Sequence, residues 1–265
     1  MKKIWVRIKE TIAEAIFPSN IYCICCGSLI DKSRPYALCD LCVEKFHWIT
    51  GRTCDKCGKA LPDTYRGRLC YDCMRLEHHF DKGFSCLTYG LHEREVLLDH
   101  KYNGKGYLAE KFGDILYDRI SCEDITPDVI IPVPISAERL KKRGYNQSAL
   151  MARRLSKRWG IPMDEGVLVR KKDTTLLRSL NPADRRLMLE GAFEIKGVKA
   201  AGGDKGRRGF RSKMAGKCVL LIDDIYTTGA TVDTCTKVLK DAGAEKVYVL
   251  TLMSGGNRRP EETEG

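Results

Sequence analysis

Ile4, Ile8, Ile12 and Ile16 recur every four residues, with Trp5 and Phe17 beside them and charges opposite, and this predicts an amphipathic helix over 3–17 that Pro18 ends. Its polar face carries both signs of charge, which favours packing on its own protein over lying on a membrane. From 21 to 82 the apolar periodicity fades and cysteines take its place. After Phe84, apolar runs and helical periods alternate. They predict strands at 84–89, 128–133, 167–170, 191–195, 218–222 and 246–252, with helices at 93–101, 107–119, 146–158 and 230–242. Strand–helix alternation predicts an α/β fold, a mostly parallel sheet flanked by helices. Two stretches interrupt it, the charged 171–190 and the glycine-rich, basic 196–217, and both read as mobile loops. The chain therefore divides into a helix at 1–20, a cysteine-rich domain at 21–82, an α/β domain at 83–254 and a polar tail at 255–265.

The length of 265 residues suits two domains, and 43% hydrophobic with 31% charged residues are ordinary globular values that exclude collagen-like, coiled-coil and largely disordered chains. No apolar run approaches the ~20 residues of a membrane helix, so no integral membrane protein is expected. Arg7, Lys9, Glu10 and Glu14 break up any apolar core of a signal peptide, and a cytoplasmic location is expected. In that compartment thirteen cysteines point to metal or catalysis before disulfides.

Cys23, Cys26, Cys39 and Cys42 recur at Cys54, Cys57, Cys70 and Cys73, each displaced by 31 residues, and Gly27 recurs as Gly58. A two-residue gap lets paired sulfurs meet one ion, so the repeat predicts two structural Cys₄ zinc sites, a double zinc ribbon. Consecutive ligands would make two ribbons; interleaving the pairs would make a cross-braced unit. The consecutive arrangement leaves each repeat complete and is preferred. Segments this short have little core of their own, so zinc should drive their folding. Cys25 faces Lys56 in the other repeat and is left without a metal. Cys86, Cys122, Cys218 and Cys235 stand singly in apolar surroundings and read as small buried hydrophobes. Eight metal-bound thiolates and two Zn²⁺ lower the formal net charge of +11 to about +7, still attractive to polyanions or phosphorylated small molecules.

The most informative segment is Val219-Leu220-Leu221-Ile222-Asp223-Asp224-Ile225-Tyr226-Thr227-Thr228-Gly229-Ala230-Thr231. Four apolar residues make a buried parallel strand, and two carboxylates follow at its carboxyl end, where open α/β sheets bind ligands. Thr227 to Thr231 then turn into a helix, presenting N–H groups and hydroxyls to an anion. Acidic groups suit sugar hydroxyls or Mg²⁺ and the loop suits a monophosphate, so the segment describes a cradle for ribose 5-phosphate. A nucleotide-hydrolase strand ending in Asp-Asp would need G-x-x-x-x-G-K-[ST] elsewhere, which the chain lacks.

On these residues the chain resembles the type I phosphoribosyltransferases. Taken with the cysteine repeat, Ile131-Pro132-Val133-Pro134, Arg139 and Arg143-Gly144-Tyr145-Asn146-Gln147, it resembles the ComF family of competence-associated proteins over nearly its whole length. The resemblance implies that Asp223 and Asp224 contact the ribose hydroxyls of phosphoribosyl pyrophosphate, held with Mg²⁺, and that Thr227, Thr228, Gly229, Ala230 and Thr231 hold its 5-phosphate. Val133 and Pro134 would begin the pyrophosphate loop, with Lys101, Arg139 and Arg143 as its basic candidates. Leu177 and Met188 replace the Gln and Asn of the family's flexible loop, while Arg185, Arg186 and Gly191-Ala192-Phe193 are kept.

Two functions follow from the resemblance. One is binding of phosphoribosyl pyrophosphate or a related ribose phosphate by a protein acting in uptake of transforming DNA, at the cytoplasmic face of the membrane, with single-stranded DNA and a competence helicase-like protein as partners. Lys205, Arg207, Arg208, Arg211 and Lys213 would add phosphate contacts. The alternative is a catalytically active phosphoribosyltransferase of nucleotide metabolism, a pentosyl-transferring enzyme whose lid is the 171–190 loop. No residue stands out as a catalytic base.

Overall fold

The computed structural model describes residues 21–102, 108–171, 188–196 and 213–257, apart from the side chains of 97–102. The expected helix at 3–17, most of the two expected loops and the end of the tail lie outside the described residues. Two compact units divide the chain, Met1–Phe46 and His47–Gly265.

In the first unit, the chain turns after Cys23 to Cys26 through Gly27 at φ 74°, and an isolated bridge joins Tyr22 to Leu29. A short 3₁₀ turn, Pro35–Ala37, places Tyr36 and Ala37 in the left-handed region, and helix α1 (Asp40–Lys45) follows. The Ala37 carbonyl accepts the Ile24 N–H at 2.9 Å, which ties the two halves of the repeat together. Among its described residues, Cys23, Ala37, Leu38, Cys42 and Phe46 are buried and apolar.

The second unit opens with the second cysteine repeat and its helix α2 (Tyr71–Arg75). The α/β part then runs β1 (Lys82–Thr88), α3 (Leu91–Tyr102), α4 (Leu108–Ile120), β2 (Val129–Pro132), α5 (Ala137–Arg143), α6 (Gln147–Trp159), β3 (Leu168–Arg170), β4 (Phe193–Ile195), β5 (Cys218–Tyr226), α7 (Ala230–Asp241) and β6 (Lys246–Ser254). Four strands form a parallel sheet in the order β1-β6-β5-β2. Both faces are covered, as a parallel sheet requires, and α4 and α6 pack together on one of them. The other face presents Val129, Ile131, Val219, Leu221, Val247 and Val249 to a single core. That core also takes in Val232, Cys235 and Leu239 of α7, the β3–β4 pair, and Cys54, Cys57, Leu61, Cys70 and Phe80 of the cysteine-repeat region.

Three sequence expectations change. The strand expected at 218–222 continues to Tyr226, because β6 pairs with it as far as Tyr226 opposite Ser254 while β2 stops opposite Ile222. The segments at 167–170 and 191–195 do not join the parallel sheet but pair antiparallel with each other. Helix α5 has no counterpart in the expectation: its sequence AERLKKR offers one large apolar residue, Leu140, so no amphipathic period shows.

Candidate functional site

Each set of four sulfurs is gathered by consecutive ligands, Cys23, Cys26, Cys39 and Cys42 in the first unit and Cys54, Cys57, Cys70 and Cys73 in the second. Cys26 Sγ lies 3.7 Å from Cys39 Sγ, and Cys57 Sγ 3.6 Å from Cys70 Sγ. A tetrahedron with Zn–S bonds of about 2.3 Å has sulfurs about 3.8 Å apart, so both clusters fit zinc and are far too open for disulfides. The repeats share their knuckle. Gly27 and Gly58 donate N–H bonds of 2.9 Å to the carbonyls of Cys23 and Cys54, and the N–H groups of Cys39 and Cys70 point at Cys23 Sγ (3.5 Å) and Cys54 Sγ (3.2 Å). These N–H contacts orient the ligands and stabilise thiolate charge. Hydrogen bonds from the Ser28 hydroxyl and N–H lower the exposed Cys26 thiol to about 6. Burial pushes the Cys25 thiol up to about 11, in keeping with a cysteine outside the four. Cys86 and Cys235 are buried as expected, whereas Cys122, just beyond the end of α4, is exposed and Cys218, the first residue of β5, is half-buried.

Asp223 lies on β5 one residue beyond the last β2 pair, so the strand offers it an open edge on that side. Its Oδ1 accepts from Ser148 Oγ at 3.2 Å and from the Asp224 N–H at 2.9 Å. Ser148 is placed by Asn146, the N-cap of α6, which accepts the Ser148 N–H at 3.1 Å and donates through Nδ2 to the Val133 carbonyl at 3.0 Å. Gly144, in the left-handed region at φ 81°, ends α5, so Arg-Gly-Tyr-Asn-Gln turns one helix into the next beneath the carboxylate. Ser148 carries no motif of its own; only its position after the Asn cap could have signalled it.

Beyond Tyr226, Thr227 to Gly229 lead into α7. Gly229 is at φ 80° and is the N-cap of the helix. A cavity of about 250 Å³ opens here, lined by Asp223, Tyr226, the whole of Thr227 to Thr231, and Leu189 from the segment ahead of β4. Among the described residues, Thr228 Oγ1 is buried without a hydrogen-bond partner. The loop leads into the start of a twelve-residue helix, where unpaired N–H groups favour negative charge.

Among the other expected residues, Asp224 holds Asp223 through its N–H and does not line the cavity. Val133 leaves the sheet beside β5, its N–H bonded to the Ile222 carbonyl at 2.9 Å, and Pro134 follows half-buried. Arg139 and Arg143 lie on α5, Arg143 donating to Gln147 Oε1 at 3.1 Å. Lys101 is in α3, its side chain outside the described residues.

A parallel sheet with an acidic strand end and an anion loop at a helix start defines a phosphoribosyltransferase-type fold. A family model described as Double zinc ribbon domain matches residues 12–74, and one described as Phosphoribosyl transferase domain matches residues 108–264. The chain belongs to the phosphoribosyl transferase domain family and, with the double zinc ribbon ahead of that domain, to its ComF group. Competence protein F of Haemophilus influenzae is 28% identical, covering 87% of this chain and 95% of that protein. Competence protein ComFC of Bacillus subtilis is 29% identical over 82% of this chain and 83% of its own. DNA utilization protein YhgH of Escherichia coli is 25% identical over 82% and 90%.

Proposed function

We propose that this protein binds phosphoribosyl pyrophosphate, or a related ribose 5-phosphate, in the cavity at the end of β5, and that it acts in the uptake or use of DNA. The observation that carries the first part is the buried Thr228 hydroxyl, without a partner among the described residues, in a glycine loop at a helix start whose cavity Asp223 also lines. The 5-phosphate would accept from the N–H groups and hydroxyls of Thr227 to Thr231. Asp223, already oriented by Ser148, would accept from a ribose hydroxyl. Asp223 and Asp224 are hard oxygen donors that suit Mg²⁺, which when bound neutralises charge on the pyrophosphate. Val133 and Pro134, with Lys101, Arg139 and Arg143, are the proposed pyrophosphate side.

The DNA part is supported by the names of the relatives and by the basic charge. The carboxylates of the cavity would repel a phosphate chain, so single-stranded DNA would contact basic residues elsewhere. Lys213 is exposed; Lys205, Arg207, Arg208 and Arg211 lie outside the described residues. A helicase-like partner and action at the membrane face belong to the same proposal. Among the described residues, no helix is long and apolar enough to cross a membrane.

Calorimetric titration of phosphoribosyl pyrophosphate with Mg²⁺ tests the cavity. The wild type should bind, and the Asp223→Asn, Asp224→Asn double variant should lose binding while keeping its fold. Unchanged affinity in the folded variant refutes the ribose assignment. Release of pyrophosphate with one of a panel of bases and amines would make the protein an active transferase instead of a binding module. DNA binding is read by fluorescence anisotropy, and affinity should fall steeply with salt. No binding at low salt removes the DNA reading.

A further inference from the structure

Tyr226, the last residue of β5, joins the phosphate loop to the second cysteine repeat. It is 1% exposed. Its ring meets Phe80 edge-on at 6.2 Å, and the Lys59 ammonium lies 5.6 Å from its centroid. Its hydroxyl is 3.3 Å from His78 Nε2. On the cavity side the same hydroxyl is pressed against the loop, since a Cβ built on Gly229 would lie 2.4 Å from it. Burial, and then the sulfurs of Cys57, Cys73 and Cys70, hold the phenol well above its ordinary value, so it stays a neutral hydroxyl.

A second link runs through Asp233 in the first turn of α7. Its N–H donates to the Gly229 carbonyl at 2.8 Å. Its carboxylate accepts the His79 N–H at 2.5 Å and lies 3.1 Å from His79 Nδ1 and 3.7 Å from His78 Nδ1. His78 to Phe80 thus hold the phosphate loop at two points. The cysteine repeat in turn holds this segment: Lys56 Nζ donates to the Phe80 carbonyl, and the Lys56 carbonyl accepts the Gly83 N–H at 2.7 Å.

We propose that the second Cys₄ site and the phosphate loop are thermodynamically coupled through Tyr226, His78 and Asp233, so that metal at the second site sets the affinity of the loop for phosphate and a bound phosphate retains that metal. Tyr226, which lies against the loop at Gly229, and His78, which meets Tyr226 and Asp233, are positioning residues. Reciprocity is required of any such coupling: whatever factor the metal adds to ligand affinity, the ligand adds to metal affinity. The proposal rests on the phosphate reading of the cavity, and its test separates the two.

The experiment follows zinc release from the full, zinc-loaded chain to a chromogenic chelator, with and without saturating phosphoribosyl pyrophosphate and Mg²⁺, while calorimetry measures ligand binding to the same preparations. The metal at Cys54, Cys57, Cys70 and Cys73 should leave roughly fivefold or more slowly with ligand present, and the metal at the first site at an unchanged rate. Tyr226→Phe keeps the ring and removes the hydroxyl, and His78→Phe keeps a ring against Phe80 and removes the nitrogen that meets that hydroxyl. In each, ligand protection of the second zinc should shrink, a readout that a merely structural role would not move. Binding to the wild type with equal zinc release in both conditions overturns the coupling and leaves the phosphate reading standing. Protection that survives intact in both variants overturns the assignment to Tyr226 and His78. Absence of binding to the zinc-loaded wild type overturns the phosphate reading and the coupling with it.

Discussion

The two cysteine repeats share ligand spacing, knuckle hydrogen bonds and a following short helix, yet their surroundings differ. Gly27, at φ 74°, has nothing among the described residues within 4 Å of where a Cβ would stand. Gly58, at φ 73°, would put a Cβ 2.4 Å from the Gly83 carbonyl and 2.7 Å from the Phe84 Cα. Cys26 is exposed and Cys39 half-buried, whereas Cys54, Cys57 and Cys70 are at most 1% exposed. Each repeat orders its chain around a metal, and the second also contributes Cys54, Cys57 and Cys70 to the core behind the parallel sheet. The lesson is that a repeated motif fixes local chelation geometry and leaves open how much the rest of the fold depends on it.

The largest expected difference lies at the knuckle glycines. Gly58→Ala must push backbone against backbone at the start of β1, and should destabilise the second unit by roughly 3–5 kcal/mol. Gly27→Ala meets only the left-handed backbone cost of about 1–2 kcal/mol. Thermal unfolding of the two zinc-loaded variants measures the gap. Equal losses would erase the comparison.

Metal removal comes next. With a chelator in excess, one equivalent of zinc should leave quickly from the more exposed first site and one slowly from the second, the rates differing by roughly tenfold or more. Cys26→Ser should abolish the fast phase and spare the slow one. A single phase releasing both ions would show that core packing does not protect the second site.

Acid gives the smallest effect and sharpens the contrast. Burial works to raise the Asp233 carboxyl, but His78 and the N–H and ring of His79 more than offset it and leave it below the ordinary 3.8. A depressed carboxyl contributes its full stability above the unfolded value; as pH falls through that value and below, the unfolded chain takes up the proton first and the contribution is lost. In the first repeat, Asp31 is also lowered, by the hydroxyl and N–H of Ser33, but it is fully exposed and holds no core element. Asp233→Asn should therefore flatten the acid-induced loss of stability of the second unit, measured by urea unfolding from about pH 5 to about pH 3. An unchanged slope would remove Asp233 from the network that holds the phosphate loop.

Much of this was legible along the chain because the signals are local. Two-residue cysteine gaps determine which sulfurs can meet one ion, a buried apolar run marks a strand of the parallel sheet, and Thr-Thr-Gly-Ala-Thr marks a turn into a helix. Each depends on residues a few positions apart, where bond geometry and side-chain period leave few alternatives. The sheet order, the antiparallel pairing of β3 with β4, the support of Asp223 by Ser148 and the contact of Tyr226 with His78 join residues 23 to 166 positions apart. Spacing says nothing about such pairs, because they exist only once the strands have chosen their neighbours. By itself the sequence determined two four-cysteine sets, an α/β order and an acidic pair ahead of a glycine loop and a helix. The tertiary structure alone decided that the second cysteine set shares its core with that loop, since burial of Phe80, Tyr226 and Cys57 in one cluster is a property of the packed sheet face and not of any one segment.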